Sequence, residues 1–226
     1  MKKYLFCLVA FFIYTACLSD LQANDNPCAG IDFGEADYKI LLNKGTPEYL
    51  QASPEQLKEW LPDSSYVIVN GLTISHMGMV IRNMNFIAQR VQKGLCVHLK
   101  TIEIEFKLDD LRVYLNNQYT EDSCPYQTIL DHENYHVRVA QEALEFYAPE
   151  FKNQVDALIQ NIPTVFIEYQ DQTEHYGNSI ITYLIKNLQP LISFLNKKVI
   201  EKNNEIDTPE SYQATIDLCP KSDWKI

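Results

Sequence analysis

Basic residues are scarce in this sequence: 19 Lys and Arg stand against 30 Asp and Glu, a formal charge of −11 over 226 residues. Binding a phosphate backbone needs a basic face and counterion release, so nucleic acid is not an expected partner. No long block of one charge sign, internal repeat or low-complexity linker interrupts the chain. With 46% hydrophobic and 12% aromatic residues, that pattern excludes extended disorder and describes a globular protein. The sequence has no C-x-x-C pair, which argues against a metal held by cysteines. Long apolar runs are missing after Ala16, so no membrane span is expected in the mature chain. Histidine is sparse as well, with five residues in all, so any close grouping of them is informative.

The first residues read as a secretory signal peptide. Lys2 and Lys3 precede an apolar run from Tyr4 to Ala16, and a polar stretch ends in the small residue Ala23. Cleavage there leaves residues 24–226 as one domain, exported to the periplasm or secreted, with a charge near −12 once Lys2, Lys3 and Asp20 are gone. The alternative is a lipoprotein anchored through Cys17, because Tyr14, Thr15, Ala16 and Cys17 loosely resemble a lipoprotein cleavage box with Tyr in place of Leu. Removing the leader takes away Cys7 and Cys17. The four cysteines that remain, Cys28, Cys96, Cys124 and Cys219, suggest two disulfides in an exported chain. Sequence leaves three pairings open. The one expected is Cys96 with Cys124, tying the strand region to a later helix, and Cys28 with Cys219, stapling the ends.

Hydrophobic spacing gives a coarse outline. Residues 24–62 are punctuated by Gly and Pro, with a short helix within Pro47 to Trp60 that Ser53 and Pro54 would start. Ser65 to Ile74 reads as a strand. Met77, Val80, Ile81, Met84, Ile87, Ala88 and Val91 recur every three or four residues and predict a helix. Leu95 to Leu108 alternates, with Ile102, Ile104, Phe106 and Leu108 on one face, and a second strand follows at Leu111 to Leu115. From Tyr126 the pattern is helical, with further helices over Glu150 to Ile162, Pro163 to about Leu188, and Leu191 to Glu201 beyond a break at Pro190. The expected fold is α+β, a small N-terminal antiparallel sheet packed on a C-terminal group of helices.

The chemistry concentrates in the run His132, Glu133, Asn134, Tyr135, His136, an H-E-x-x-H pattern. On a helix its imidazoles lie one turn apart and can reach one metal ion, with the Glu close enough to handle a water beside it. The stripe Ile129, His132, His136, Val139, Ala143, Tyr147 is core spacing, so both histidines should point inward. One inward His is usually a satisfied core residue. Two bracketing a Glu are costly to bury without a cation.

Zinc needs a third protein ligand. Glu142 lies ten residues after His132, about 15 Å along an unbroken helix, and is rejected. His98 falls on a strand and His76 at a strand end, where a structural role suffices for either. His175 is better placed, with Asp171 one helical turn before it as a second ligand or a carboxylate that orients it. A solvated helix surface is the plainer reading of that pair.

An exported chain with a strand Cys, a helix carrying H-E-x-x-H, and the later segment Tyr169, Gln170, Asp171, Gln172, Thr173, Glu174, His175, Tyr176, Gly177 resembles a bacterial family described as secreted zinc-dependent proteases. The resemblance covers roughly residues 65–180. It carries over His132, Glu133, His136, Tyr169, Thr173 and His175. The chain departs from the family pattern at Gln170, where that pattern has Asp, and at Tyr135 and Tyr176, where it has Gly. It implies a zincin-like metallopeptidase in which His132, His136 and His175 hold Zn2+ and Glu133 is the general base. Beyond the resemblance, Tyr176 is expected as a buried aromatic, with a hydrogen bond to the oxyanion as its alternative role, and by analogy with other H-E-x-x-H proteins the Ile102 to Phe106 strand edge would take an extended peptide or protein substrate. The rival from another class is a non-catalytic, metal-stabilised binding protein of the envelope. Oligomeric state is not legible.

Overall fold

A computed structural model describes residues 26–61 and 69–225. The signal peptide, Cys7 and Cys17 lie outside the described residues, as does the first part of the strand expected over Ser65 to Ile74. In chain order the elements are β1 (Asp37–Asn43), β2 (Glu48–Ala52), α1 (Pro54–Trp60), β3 (Gly71–Val91), β4 (Gly94–Asn116), α2 (Cys124–Phe146), α3 (Ala148–Ile159), β5 (Val165–Ile167), α4 (Gln172–Ile206), α5 (Pro209–Asp217) and a closing 3-10 turn (Lys221–Asp223).

β4 is the spine of the sheet. β3 pairs antiparallel with it along nearly its whole length, from Gly71 opposite Leu115 to Val91 opposite Gly94. A strand has two edges, so the other edge of β4 must hold the three short partners in succession: β5 at Leu95–Val97, β1 at Thr101–Lys107 and β2 at Arg112–Asn116. β5 runs antiparallel, but β1 and β2 run parallel to β4. The sheet is therefore not the antiparallel one expected, although the protein is mixed α/β as the sequence indicates. With both edges of β4 paired, the Ile102 to Phe106 edge is closed to an added peptide strand.

Two expectations fail locally for one reason. The helix predicted over Met77 to Val91 is part of β3, whose pairing shifts register between Ile74 and His76, between Arg82 and Asn85, and again at Phe86. Met77, Met79, Ile81, Met84 and Phe86 pack on the core. The bulge at Asn83, with φ of 41°, inserts a three-residue step among twos and gives strand residues a helix-like spacing. In β4 the two predicted strands are one, kinked at Asp110 with φ of 53°. Gly45, at φ of 65°, sits where β1 gives way to β2, and a Cβ there would stand 3.1 Å from the Leu108 carbonyl oxygen.

Ile102, Ile104 and Phe106 point to the helices and are essentially inaccessible, and Phe106 stacks on Phe151 of α3. The opposite face pairs charges, Lys39 with Glu103 and Arg82 with Glu105. α4 is one helix through Pro190, so the expected break there is absent. Its Asn196 amide donates to the Met77 carbonyl and accepts from the Met77 amide, standing in for a neighbouring strand on the outer edge of β3.

The cysteines pair as Cys28 with Cys96 and Cys124 with Cys219, not as expected. Cys96 stands near the start of a strand that runs on to Asn116 before Cys124 is reached, roughly 65 Å of extended chain at 3.3 Å per residue. The N-terminal segment lies at one end of β4 and the C-terminus at the other. Two disulfides point to an oxidising, extracytoplasmic setting. Among the described residues no helix is long and apolar enough to cross a membrane.

Candidate metal centre

Local sequence fixes the motif helix firmly. Ser123 caps α2 by accepting from the Tyr126 amide, and Pro125 occupies the first turn, where no amide hydrogen is needed. The core stripe then buries Ile129, His136 and Val139 and leaves His132 nearly so, as its spacing predicts. Glu133 is on the adjoining face, toward the sheet, and is 4% exposed.

The partner of the two histidines comes from the far end of α4. Asp207 is the C-cap of that helix, and its Oδ1 lies 3.1 Å from Nε2 of His132 and 3.1 Å from Nε2 of His136. The two Nε2 atoms are 3.2 Å apart. Ligand atoms at about 2.0–2.1 Å from a tetrahedral zinc are about 3.3 Å from one another, so the three atoms already form nearly one face of such a tetrahedron. Without a metal each ring can donate from Nε2 to Oδ1; with both Nε2 atoms deprotonated, a cation among these atoms accepts all three. The donor set of two nitrogens and one carboxylate oxygen fits zinc and other divalent metals of similar preference. His132, His136 and Asp207 thus form a group able to hold a metal ion.

Neighbouring side chains secure these atoms. Asn203 lies one turn before Asp207 and favours the charged form of His136, although its Oδ1 and the His136 Nδ1 make no hydrogen bond among the described residues. The Tyr212 hydroxyl donates to Asp207 Oδ1 at 3.2 Å, and its ring lies 5.3 Å from that of His132. Thr73 of β3 donates to Glu133 Oε2 at 2.7 Å. Gly71 makes room for that carboxylate, since a Cβ there would lie 2.4 Å from Oε1. Asn134 accepts from the Tyr49 hydroxyl at 2.7 Å, which fixes the motif helix to β2.

The electrostatics follow from the packing. Burial raises the Glu133 carboxyl above its ordinary pKa, against the opposing pull of His136 and Thr73. Burial also works against charging His136, but the hydrogen bond and charge of Asp207, with Glu133, outweigh it and hold its pKa above the usual value. For Asp207 the same burial is overcome by its bonds to His132 and His136, which hold it well below the usual carboxylate range.

His175 is not brought to this group. It sits in the first turns of α4, exposed, 32 residues and about 48 Å of helix from Asp207. There it lines a separate cavity with Phe166 and Ser179. Asp171 is the exposed N-cap of the same helix end and makes no side-chain capping bond. Tyr176 is buried, with its hydroxyl given to the Pro163 carbonyl and its pKa pushed up to about 12 by desolvation, so it does not face the histidines. Glu142 is exposed, in keeping with its rejection. His98 bonds Thr164 through Nδ1 and stacks on Phe33.

Asp207 was missed because no spacing rule links it to a motif 71 residues earlier. A signal existed all the same. The buried stripe of α4, Leu188, Ile192, Leu195 and Val199, continues in steps of four through Asn203 to Asp207, setting polar groups on a core-facing line.

Fold and site together define a mixed α/β protein with a His-His-Asp group suited to a metal ion. No family model, curated protein or solved structure matches the chain.

Proposed function

We propose that the chain is an exported zinc-dependent hydrolase, a peptidase of zincin-like architecture acting on a peptide or protein in the periplasm or outside the cell. His132, His136 and Asp207 hold the zinc. The observation that carries this reading is the convergence of three donor atoms from two helices to within 3.1–3.2 Å of one another. The H-E-x-x-H spacing adds the group such chemistry requires, a carboxylate beside the metal ligands. Bound zinc supplies the Lewis acidity that activates water and polarises an amide carbonyl. Glu133 takes the proton of the attacking water and passes it to the leaving nitrogen, while Thr73 holds its carboxylate in one orientation.

A second reading has its own support. Glu133 is 4% exposed and bonded to Thr73, which suits a metal-stabilised binding protein of the envelope that performs no turnover. Glu133→Gln separates the two: an enzyme keeps its zinc and loses turnover on a mixed peptide library, whereas a binding protein loses nothing. Metal analysis of the purified mature protein tests the common ground. One zinc per chain is expected, retained in His175→Ala and lost in Asp207→Ala. A parent protein that takes up no zinc sinks the proposal.

A further inference from the structure

We infer that Tyr212 is a positioning residue of the metal group, holding Asp207 Oδ1 as the single ligand oxygen of its carboxylate. The inference rests on the metal reading above and adds a residue outside the motif.

Tyr212 is rigidly mounted. Thr208 caps α5 by accepting from the Ser211 amide, and the Tyr212 amide donates to the Thr208 carbonyl oxygen at 3.0 Å, so the first turn of α5 is locked directly after Asp207. From that turn the phenol hydroxyl reaches the same carboxylate oxygen that both histidines approach. A carboxylate oxygen has two lone-pair directions. Oδ1 can therefore accept from Tyr212 and still offer a lone pair toward the two Nε2 atoms, where a metal would sit, and the hydroxyl bond favours that oxygen over Oδ2 as the ligand. The ring, tilted 40° to that of His132 at 5.3 Å, limits rotation of the imidazole too. Tyr212 therefore touches both a ligand of the motif helix and the ligand that ends α4.

Tyr212→Phe keeps the ring and removes the hydroxyl. The expected result is a 10- to 100-fold loss of zinc affinity, measured by competition with a chromophoric chelator, with the thermal unfolding of the metal-free protein unchanged. Loaded with cobalt in place of zinc, the variant should also show an altered visible absorption band, because the carboxylate is free to change its mode of binding. A merely structural tyrosine would move neither quantity without moving metal-free stability. Tyr183→Phe, on α4 but 24 residues before Asp207, serves as the control and should leave both unchanged. Should Tyr212→Phe fold poorly, zinc titration of the unaltered protein remains: it should perturb tyrosine absorbance, and a spectrum that does not move overturns the inference. If the parent binds zinc and Tyr212→Phe binds it equally well with the same cobalt band, the role of Tyr212 falls and the metal site stands. If the parent binds neither metal, both fall together.

Discussion

At the scale of single residues, the three ionisable groups of the site pull stability in opposite directions with pH. The folded-state pKa of Asp207 is depressed, so its contribution is present above the ordinary carboxylate value of about 3.9 and is lost as pH falls through the depressed one. His136 is raised, so its contribution is present below about 6.5 and is lost as pH rises through the raised value. Glu133, raised by burial, acts in the same sense as His136. The metal-free protein should therefore weaken on strong acidification and again on passing neutrality. Zinc binds the neutral rings, so saturating metal should reverse the second limb and make stability climb between about pH 6 and pH 8. Urea midpoints across that range, with chelator and with zinc, check this directly. Parallel profiles would contradict a metal at these residues. The two motif histidines and Glu133 were legible because chemistry imposes their spacing on one helix. Asp207 answers only to how two helices pack, which no short pattern encodes.

At the scale of elements, α4 carries the argument. It runs unbroken for 35 residues with Pro190 inside it, although proline removes a helical hydrogen bond and crowds the preceding turn. Burial of Leu184, Leu188, Ile192 and Leu195 on both sides of the proline outweighs that cost. Because residue 190 is exposed, Pro190→Ala should stabilise the protein by about 1–2 kcal/mol, read as a higher urea midpoint at unchanged slope. A destabilised variant would mean that a proline-induced bend is needed to deliver Asp207. Ending the last helix at Glu201 cut the apolar stripe short of Asn203 and Asp207 and hid the candidate ligand. β3 was misread for a related reason, since bulges slip the alternation of Met77, Met79, Ile81, Met84 and Phe86 and local spacing then imitates a helix. Where register is regular, as in Ile102, Ile104, Phe106 and Leu108, the sequence alone assigned both strand and face. β1 and β2 were too short, and too close to Gly45 and Pro47, to stand out; their parallel pairing depends on a partner more than 50 residues away.

At the scale of the whole molecule, the two disulfides hold opposite ends of β4. Cys28 with Cys96 fastens the N-terminal segment at one end, and Cys124 with Cys219 joins the start of the motif helix to the chain beyond α5 at the other. α5 buries none of its own residues. Ile216 packs on the core, and the helix is further held by Tyr212, the disulfide, and Trp224, whose indole donates to the Ile216 carbonyl and meets Tyr119 edge-on. Opening Cys124–Cys219 as Ser variants should weaken zinc binding, while opening Cys28–Cys96 should leave the ligands undisturbed. Equal loss from both would point to general unfolding instead.

The tether through Cys219 also makes zinc and a reducing dithiol opponents on one chain. Free energies around a closed cycle must agree, so if opening the disulfide weakens zinc tenfold, zinc must make the disulfide tenfold harder to reduce, about 30 mV for a two-electron couple. A protein that met zinc before it met a reductant would then keep its C-terminus fastened, and one stripped of zinc would release it first.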